Sequence, residues 1–242
     1  GGTGGRGRGD GRGLGGGRAA LTARTRVVFI ANPNNPTGTG HARDAVESFI
    51  ASVPPDVIVV LDEAYNEFLD PSEQANSTTW ISRYPNLIVS HTFSKAHGLA
   101  ALRIGYGVMD TAVADLLNRV RQPFNVNSLA QAAALAALED LQYVEESRRL
   151  NREGMRQLEA GLRAQSVRFL PSHGNFILIA VGDAPAIDQA LLRQGVIVRP
   201  VANYGLPTSL RVTVGTPTEN DRFLAALATA RESRDTGRAR AH

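Results

Sequence analysis

The stretch SHTFSKAHGLAALRIG, residues 90–105, decides how the rest of the sequence is interpreted. Lys95, in its middle, is the only lysine of the chain, so 25 of the 26 basic residues are arginine. Arginine replaces lysine readily in surface ion pairs and phosphate contacts, but its guanidinium does not lose a proton and attack a carbonyl. Lysine can, because burial or neighbouring charge can shift its pKa until the free amine forms a Schiff base. Lys95 is therefore a candidate nucleophile, and a chance survivor at a surface position is the alternative.

The neighbours of Lys95 resemble a known family. Ser94 precedes Lys95 and Arg103 follows it by eight residues, as in the lysine segment of pyridoxal-phosphate aminotransferases of the aspartate-aminotransferase fold. Further stretches are similar to other signatures of that family, in the family's order: residues 32–39 (NPNNPTGT), 61–65 (LDEAY), 122–128 (QPFNVNS), 196–205 (VIVRPVANYG) and 210–215 (LRVTVG). The last three narrow the resemblance to the histidinol-phosphate aminotransferase group. It extends from about Arg24 to about Leu227.

Short apolar runs predict the beginning of a sheet. Residues 27–31 and 57–61 are continuous apolar segments that indicate buried strands, and a helix is expected between them at about 42–52. In such a βαβ unit the crossover is right-handed, and ligands bind at the carboxyl ends of the strands. Asn35 and Asp62 both follow strand ends, so this topology predicts that they lie at one edge of the sheet.

The rest of the chain is predicted to alternate strands and helices. Strands are expected at 87–90, 104–108, 167–170, 175–179, 196–199 and 210–214, and helices at about 111–121, 128–162 with one interruption, 184–194 and 216–231. Asp110 is the expected N-cap of the first of these helices, and Ser128 with Gln131 is the expected capping box of the second. Thr216 with Glu219 is the capping box expected for the last helix.

The resemblance implies an α/β protein, a pyridoxal-phosphate-dependent transferase of fold type I. It would consist of a partial large domain with a mostly parallel sheet and a small C-terminal α/β domain. The expected divisions are a glycine- and arginine-rich leader at 1–23, the partial large domain at 24–127, connecting helices at 128–162, the small domain at 163–232 and a polar tail at 233–242. Residues 1–17 hold a single apolar side chain, Leu14, and are expected to be disordered.

The family's cofactor roles pass to matching positions of this sequence. Lys95 would form the Schiff base with pyridoxal 5′-phosphate and then move the proton at the substrate Cα. Asp62 would keep the pyridine nitrogen protonated, although a turn or cap residue is the alternative. Asn35 and Tyr65 would hydrogen-bond the cofactor's phenolic oxygen. The alternative for Asn35, taken without the resemblance, is a turn residue beside proline.

The remaining assignments concern anionic groups. Thr92, Ser94 and Arg103 would bind the cofactor phosphate, because hydroxyls and a guanidinium fork suit an acceptor-rich dianion. A surface ion pair is the alternative for Arg103. The resemblance further implies that Arg211 clamps the anion of the substrate, either the carboxylate of glutamate or the phosphate of histidinol phosphate.

Two more residues are candidate substrate contacts, and two positions depart from the family. Arg199 is a second contact beside Arg211, and Asn175 is either a contact or a buried, satisfied amide. His97 stands where members often have phenylalanine or tyrosine, and Ala101 replaces a frequent glycine. Neither departure removes an assigned functional group.

Composition limits the function classes. No apolar run approaches the roughly 18 residues that would span a membrane, and no secretory signal is visible, so a cytoplasmic location is expected. The chain has no cysteine, and its five histidines show no ligand spacing, so no metal site is expected. The formal charge is only +3, and the arginine–glycine leader lacks interleaved aromatic residues, so nucleic acid is not an expected partner.

The resemblance implies a transaminase that converts imidazole acetol phosphate and L-glutamate to histidinol phosphate and 2-oxoglutarate in histidine biosynthesis. Its partners would be a small amino donor and a phosphorylated keto acceptor, and it would be a homodimer. An aromatic amino-acid (phenylalanine) aminotransferase is one alternative. Family members normally carry roughly 100 more residues before the Asn-Pro segment, so an inactive truncated remnant is the other.

Overall fold

The computed structural model describes residues 12–239, and the chain divides into two units. The first unit comprises the described residues up to Asn34 together with Gly40–Ser147. The second comprises Asn35–Thr39 and the described chain from Arg148 onward. The boundary at Ser147 falls within one continuous helix, and the divisions at 127 and 162 remain predictions.

The first unit is built on a four-stranded sheet. Its strands are β1 (Val27–Ala31), β2 (Ile58–Asp62), β3 (Leu87–Thr92) and β4 (Gly105–Met109), in the order β1-β2-β3-β4. β1, β2 and β3 are parallel, and β4 is antiparallel to β3. The carboxyl ends of the three parallel strands and the start of β4 therefore lie at one edge of this mostly parallel sheet, as predicted.

Five helices belong wholly or partly to the first unit. They are α1 (Arg12–Ala19), α2 (Arg43–Ala51), α3 (Thr111–Val120), α4 (Ser128–Glu139) and α5 (Leu141–Ala164), of which the last continues into the second unit. α2 buries Val46, Phe49 and Ile50 in the same core as the inward-facing residues of β2 and β3. This apolar face explains why α2 forms between β1 and β2. β1 itself is not the buried strand that was predicted, because it lies at the edge of the sheet and leaves Val27 and Phe29 exposed.

Helix α1 differs from the disorder predicted for residues 1–17. Residues 1–11 lie outside the described part of the chain, so the comparison begins at Arg12. From there the chain is helical, and Leu14 and Leu21 pack against the core of the first unit. A Cβ at Gly17 would meet the Phe49 ring at 3.3 Å, so the helix approaches α2 closely. Tertiary burial thus outweighs the poor helix propensity of glycine here.

The cap of α4 also differs from the prediction. Asn127 is the N-cap, and its side chain accepts a 2.8 Å hydrogen bond from the Ala130 amide. Ser128 is therefore already the first helical residue, which moves the start by one position. The predicted interruption occurs at Asp140, between α4 and α5, and Asp110 caps α3 as predicted.

The second unit contains a separate, antiparallel sheet. Its strands are β5 (Arg168–Leu170), β6 (Phe176–Ala180), β7 (Arg199–Pro200) and β8 (Ser209–Thr213), in the order β5-β6-β8-β7. Residues 196–199 were predicted as a strand, but β7 begins only at Arg199. The Val196 amide instead bonds to the Leu191 carbonyl and closes the preceding helix around Gly195, whose φ is 73°.

Helices α6 (Ala184–Arg193) and α7 (Pro217–Ala239) complete the second unit. Its core contains Leu158, Leu162, Ile187, Leu191 and Leu227, all at most 1% exposed. The capping box at the start of α7 is confirmed, since the Thr216 amide donates to Glu219 Oε2 at 2.8 Å and the Glu219 amide to Thr216 Oγ1 at 3.4 Å.

α7 is longer than predicted. It continues past Arg231, where the helix was expected to end, to Ala239, within the predicted polar tail. Residues 231–239 contain no proline and only one glycine, so every residue there can donate a helical hydrogen bond. The helix that begins at Pro217 can therefore continue through them. None of the helices described between residues 12 and 239 is both long and apolar enough to cross a bilayer.

Candidate active site

The predicted site residues of the first unit meet at the carboxyl edge of its sheet. Asp62 is the last residue of β2 and pairs in register with Ser90 of β3. Thr92 ends β3 and lies opposite Gly105, the first residue of β4. Since β4 is antiparallel, Arg103, two residues before its start, lies at the same edge. The topology alone therefore gathers groups that are up to 41 positions apart.

Lys95 lies in the turn that follows β3. Phe93 and Ala96, on either side, are 3% and 2% exposed and anchor the turn in the protein. The Lys95 carbonyl accepts a hydrogen bond of 2.9 Å from the amide of Gly98, whose φ of 72° favours glycine. The Lys95 side chain is exposed, and its Nζ lies 5.6 Å from the centre of the buried Tyr65 ring. The anchored turn therefore presents an accessible amine beside an aromatic ring.

Asp62 presents an accessible carboxylate at this edge. Its Oδ1 accepts a 3.1 Å hydrogen bond from the Ala64 amide, which stabilises the turn leading to Tyr65. The side chain is exposed, so a ligand can reach it. The turn-residue role considered from the sequence is thus present, and it leaves the carboxylate accessible.

Arg103, Ser94 and Thr92 form a polar group beside the lysine turn. Arg103 Nη1 donates to Ser94 Oγ at 3.4 Å and to the Ala100 carbonyl at 2.9 Å. Thr92 Oγ1 accepts from the Ser94 amide at 3.1 Å. The Arg103 backbone has a φ of 52°, in the left-handed region that residues other than glycine seldom adopt. Arg103 is exposed. Two hydroxyls and a guanidinium are thereby held together in a form that suits a phosphate.

A cluster of three ionisable side chains that was not predicted stands next to these residues; Glu63 is buried, and His91 and Glu67 are half-buried. His91 Nε2 is 3.3 Å from Glu63 Oε2, and His91 Nδ1 is 3.4 Å from Glu67 Oε1. Ser77 Oγ donates a 2.7 Å hydrogen bond to Glu63 Oε1. The His91 ring stacks on Tyr106 at 5.1 Å between centroids. For Glu63 a sequence signal was present: side chains alternate along β2, so the residue after the outward-facing Asp62 is expected to point inward.

Burial and charge shift the pKa values of this cluster. Burial raises the pKa of Glu63 to about 7, although Ser77 and His91 oppose the change. Burial lowers the pKa of His91, but the hydrogen bond with Glu67 and the charges of Glu63 and Glu67 outweigh it, so the net shift is upward. Burial and the two glutamates raise the pKa of Tyr106. The cluster therefore retains protons to a higher pH than the isolated groups would.

A cavity of about 360 Å³ borders the cluster. Its lining includes Glu63, Ser77 and His91, together with the amide side chains of Asn66, Gln74 and Asn76. The lining is polar, so water can approach the buried carboxylate. Within residues 12–239, no group of three or more histidine, aspartate or glutamate side chains is arranged to hold a metal ion.

The second unit contains the remaining predicted residues. Arg211, on β8, donates a 2.7 Å hydrogen bond from Nη1 to Asn35 Oδ1. Its guanidinium carbon also lies 4.8 Å from the centre of the Phe176 ring. Asn35 was predicted as a cofactor contact at the edge that carries Asp62, but it belongs to the second unit, and that cofactor role remains a prediction.

Arg199 and Asn175 are placed by the same sheet. Arg199 on β7 pairs directly with Arg211 on β8, so both side chains are on one face. Arg199 is exposed, and its Nη2 is 3.4 Å from the Tyr204 hydroxyl. Asn175 precedes β6, is half-buried, and accepts from the Val214 amide through its backbone carbonyl at 2.9 Å. Their roles as substrate contacts remain predictions.

This fold and edge arrangement define a class of protein. The family description Aminotransferase class I and II matches residues 16–227, most of the chain. The chain therefore belongs to the class I and II aminotransferases, and its fold is that of the pyridoxal-phosphate-dependent transferases of fold type I.

Individual members of the family that are similar to this chain share one name. Histidinol-phosphate aminotransferase 2 of Pseudomonas fluorescens is 61% identical over 210 residues, which cover 86% of this chain and 57% of that protein. The crystal structure of histidinol-phosphate aminotransferase from Sinorhizobium meliloti, in complex with pyridoxal-5′-phosphate, has 30% identity and a TM-score of 0.83, covering 93% of this chain and 61% of that one. The structure of a putative histidinol-phosphate aminotransferase from Erwinia carotovora atroseptica has 32% identity and a TM-score of 0.81, and the match covers 94% of this chain and 65% of that one. The chain thus spans less than two thirds of the length of these relatives.

Proposed function

We propose that this chain is the lysine-bearing part of a pyridoxal-phosphate-dependent transaminase that interconverts histidinol phosphate and imidazole acetol phosphate, with glutamate and 2-oxoglutarate as the second pair. The observation that carries the proposal is the common edge shared by Lys95, Asp62 and Arg103. Membership of the aminotransferase family and the names of its relatives support the reaction class and the substrate.

The residues at this edge fit pyridoxal phosphate. Arg103 with Ser94 and Thr92 supplies donors for a phosphate dianion, and Lys95 offers an accessible amine beside the Tyr65 ring. When bound, pyridoxal phosphate supplies an aldehyde that takes up amino groups and a pyridinium ring that withdraws electrons from the substrate Cα.

Each side chain at the edge has a distinct task in the proposed reaction. Lys95 holds the cofactor through its amine and, once the substrate amine displaces it, moves the proton at the substrate Cα. Asp62 keeps a proton on the ring nitrogen, because a carboxylate favours the charged form. Tyr65 donates a hydrogen bond to the ring oxygen.

The second unit supplies the proposed substrate recognition. Arg211 and Arg199 are cross-strand neighbours on one face of the antiparallel sheet, and two adjacent guanidiniums favour the binding of an anionic group. Arg211 is therefore proposed to bind the carboxylate of glutamate and the phosphate of histidinol phosphate in turn. Arg199 and Asn175 are secondary contacts. The homodimer and the cytoplasmic location implied by the resemblance belong to this proposal.

Cofactor binding is tested by trapping. The 242-residue chain is incubated with pyridoxal phosphate, reduced with borohydride and digested for peptide mass spectrometry. We expect the cofactor mass on the peptide that contains Lys95, and its loss from that peptide in Lys95→Arg. Absence of an adduct on Lys95 at millimolar cofactor would contradict the proposal and favour an inactive remnant.

The substrate is tested by competition between acceptors. With glutamate as donor, turnover of imidazole acetol phosphate is compared with that of phenylpyruvate. We expect preference for the phosphorylated acceptor, and an increase in its KM in Arg211→Met that Arg168→Met, an exposed arginine on β5, does not cause. Preference for phenylpyruvate would identify the aromatic aminotransferase instead.

A further inference from the structure

His91 lies between two carboxylates that come from one short segment. Glu63 and Glu67 flank the turn that contains Tyr65, and they approach opposite nitrogens of the imidazole at 3.3 and 3.4 Å. A neutral imidazole carries one N–H and one lone pair, so it can donate to only one of them. The hydrogen bond joins Nδ1 to Glu67, and Nε2 lies at ion-pair distance from Glu63, so a doubly protonated ring has a carboxyl group beside each N–H. The geometry therefore suits an imidazolium.

The contacts join two segments that carry the candidate catalytic groups. Glu63 directly follows Asp62, and Tyr65 lies between Glu63 and Glu67. His91 directly precedes Thr92, at the start of the turn that leads to Lys95. A charged His91 thus ties the segment after β2 to the end of β3 through side chains, in addition to the bond from the Glu63 amide to the Ser90 carbonyl.

We propose that His91 is a positioning residue whose imidazolium clamps the segment at residues 62–67 to β3, and that the clamp loosens when the imidazolium loses its proton. The clamp keeps the Asp62 carboxylate and the Tyr65 ring in a constant position relative to Lys95. His91 itself touches neither cofactor nor substrate in this proposal.

The surroundings of His91 favour the charged ring from several elements. Glu63, just after β2, and Glu67, in the short helical turn that follows, face the ring, and the negative charge of Asp62 at the end of β2 acts on it as well. Tyr106 of β4 stacks on the ring and retains its own proton because burial raises its pKa. The polar cavity beside Glu63 and His91 gives water access when the contacts weaken. The hydrogen bond with Glu67 and the negative charges of Glu63, Glu67 and Asp62 all disfavour loss of the imidazolium proton.

The pH dependence follows from the upward shift of the His91 pKa. Because the pKa of His91 is higher in the folded than in the unfolded chain, the stabilisation is complete below the unfolded pKa of 6.5 and is lost as pH rises through the folded pKa. The clamp should therefore weaken as pH rises above the folded pKa of His91. Glu63, whose pKa burial raises to about 7, becomes a buried charge as pH rises through neutrality, and this destabilises the fold separately from the clamp.

The titration of His91 is the direct test. Ring signals of the five histidines are followed by NMR in the 242-residue chain, and His91 is assigned from the His91→Gln variant. We expect a His91 midpoint above 6.5 and a lower one in Glu67→Gln, which removes one of the two carboxylates. A neutral His91 ring at pH 6 would overturn the proposal.

A second test uses Trp80, the only tryptophan, which is buried close to Ser77 in the same helical turn. Its fluorescence reports urea unfolding at pH 6 and pH 8. From pH 6 to pH 8, we expect the folding equilibrium constant to fall in the parent chain by a factor about three or more times larger than in His91→Gln. His173→Gln, at an exposed histidine of the second unit, is the matched control and should respond like the parent. The same pH response in His91→Gln as in the parent would contradict the clamp, and Glu67→Gln serves if His91→Gln does not fold.

Only the effect on cofactor affinity rests on the proposed function. Pyridoxal phosphate binding is measured from pH 6 to pH 8 in the parent, His91→Gln and His173→Gln chains. We expect the affinity to fall more with pH in the parent and in His173→Gln than in His91→Gln. Parallel profiles in all three would refute the positioning role. If none of the chains binds the cofactor, the proposed function fails, while the NMR and unfolding results still decide the clamp.

Discussion

Arg211 donates a 2.7 Å hydrogen bond to Asn35, a residue 176 positions earlier in the chain. Both residues are half-buried, so the bond has limited competition from water. It attaches the start of the Asn35–Thr39 segment to β8, within the second unit. The base of the same loop, in contrast, is closed in the first unit by hydrogen bonds between Asn32 and His41.

The first prediction concerns the coupling of Arg211 and Asn35. Arg211→Met keeps an apolar stem over Phe176 but removes the donor, and Asn35→Ala removes the acceptor. We expect each change to lower the free energy of urea unfolding, with a coupling energy of about 1 kcal/mol or more in a double-mutant cycle. Additive effects would mean that the bond contributes nothing in solution.

The second prediction separates charge from turn geometry at Asp62. Asn at this position still accepts the hydrogen bond from the Ala64 amide, so the free energy of unfolding of Asp62→Asn should stay within about 0.5 kcal/mol of the parent value. Pyridoxal phosphate affinity, measured by absorbance titration, should fall at least about tenfold, because the neutral amide does not favour a protonated ring nitrogen.

The control for Asp62→Asn is Asp56→Asn, an exposed aspartate in the loop before β2, which should leave the affinity unchanged. Equal affinities in the parent and Asp62→Asn chains would show that the Asp62 carboxylate does not act on the cofactor. A large loss of stability in Asp62→Asn would show that its charge is structural.

The third prediction concerns Gly38, in the segment that joins the second unit. Its φ is 72°, and a Cβ there would lie 2.0 Å from Ser172 Oγ and 3.1 Å from Ser172 Cα. Gly38→Ala therefore combines backbone strain with overlap, and we expect it to lower the free energy of unfolding by about 1–3 kcal/mol. Thermal and urea unfolding measure the change.

Gly15 is the matched control for Gly38. It lies inside α1, and apart from the helix's own backbone no atom of residues 12–239 comes within 4 Å of a Cβ placed there. Gly15→Ala should raise the free energy of unfolding by about 0.5–1 kcal/mol, because alanine favours an open helical position. Destabilisation of the chain by Gly15→Ala would contradict the helical assignment of α1.

The fourth prediction concerns acid sensitivity at the start of α7. The backbone and side-chain hydrogen bonds from Thr216 lower the pKa of Glu219. A lowered folded pKa means that the stabilisation is present above the unfolded value of 4.5 and is lost as pH falls through the folded value. Below pH 4.5, the melting temperature of Glu219→Gln should therefore fall less steeply than that of the parent.

Glu139→Gln, at the exposed last residue of α4, is the control for Glu219→Gln. Its melting temperature should follow the parent profile with pH. If Glu219→Gln follows the parent profile equally well, the capping box does not contribute to acid sensitivity.

Local patterns predicted most of the fold. The apolar runs at 27–31 and 57–61 became β1 and β2 within one residue, because apolar and β-branched side chains favour the extended backbone. The burial predicted for β1 was wrong, since this edge strand leaves Val27 and Phe29 exposed. The caps at Asp110 and Thr216 were predicted because a side chain there needs to reach only two or three residues along the chain. α1 was missed because its stability depends on Leu14 and Leu21 packing against distant residues.

The candidate site could be predicted in part. Lys95 was found because it is the only lysine, and the stretches around Asp62 and Arg103 resemble family signatures. The cluster of Glu63, Glu67 and His91 was not found, because each of these residues on its own is an ordinary polar residue near a turn. Its members become partners only when β2 and β3 pair in the observed register.

The chemical groups, the local elements and the family follow from the amino-acid sequence alone, since they depend on side-chain identity and on neighbours a few positions away. The contacts between distant groups come from the folded chain: Lys95 with Tyr65, His91 with Glu63 and Glu67, and Arg211 with Asn35. Sheet register and packing select these partners, and neither is set by adjacent residues.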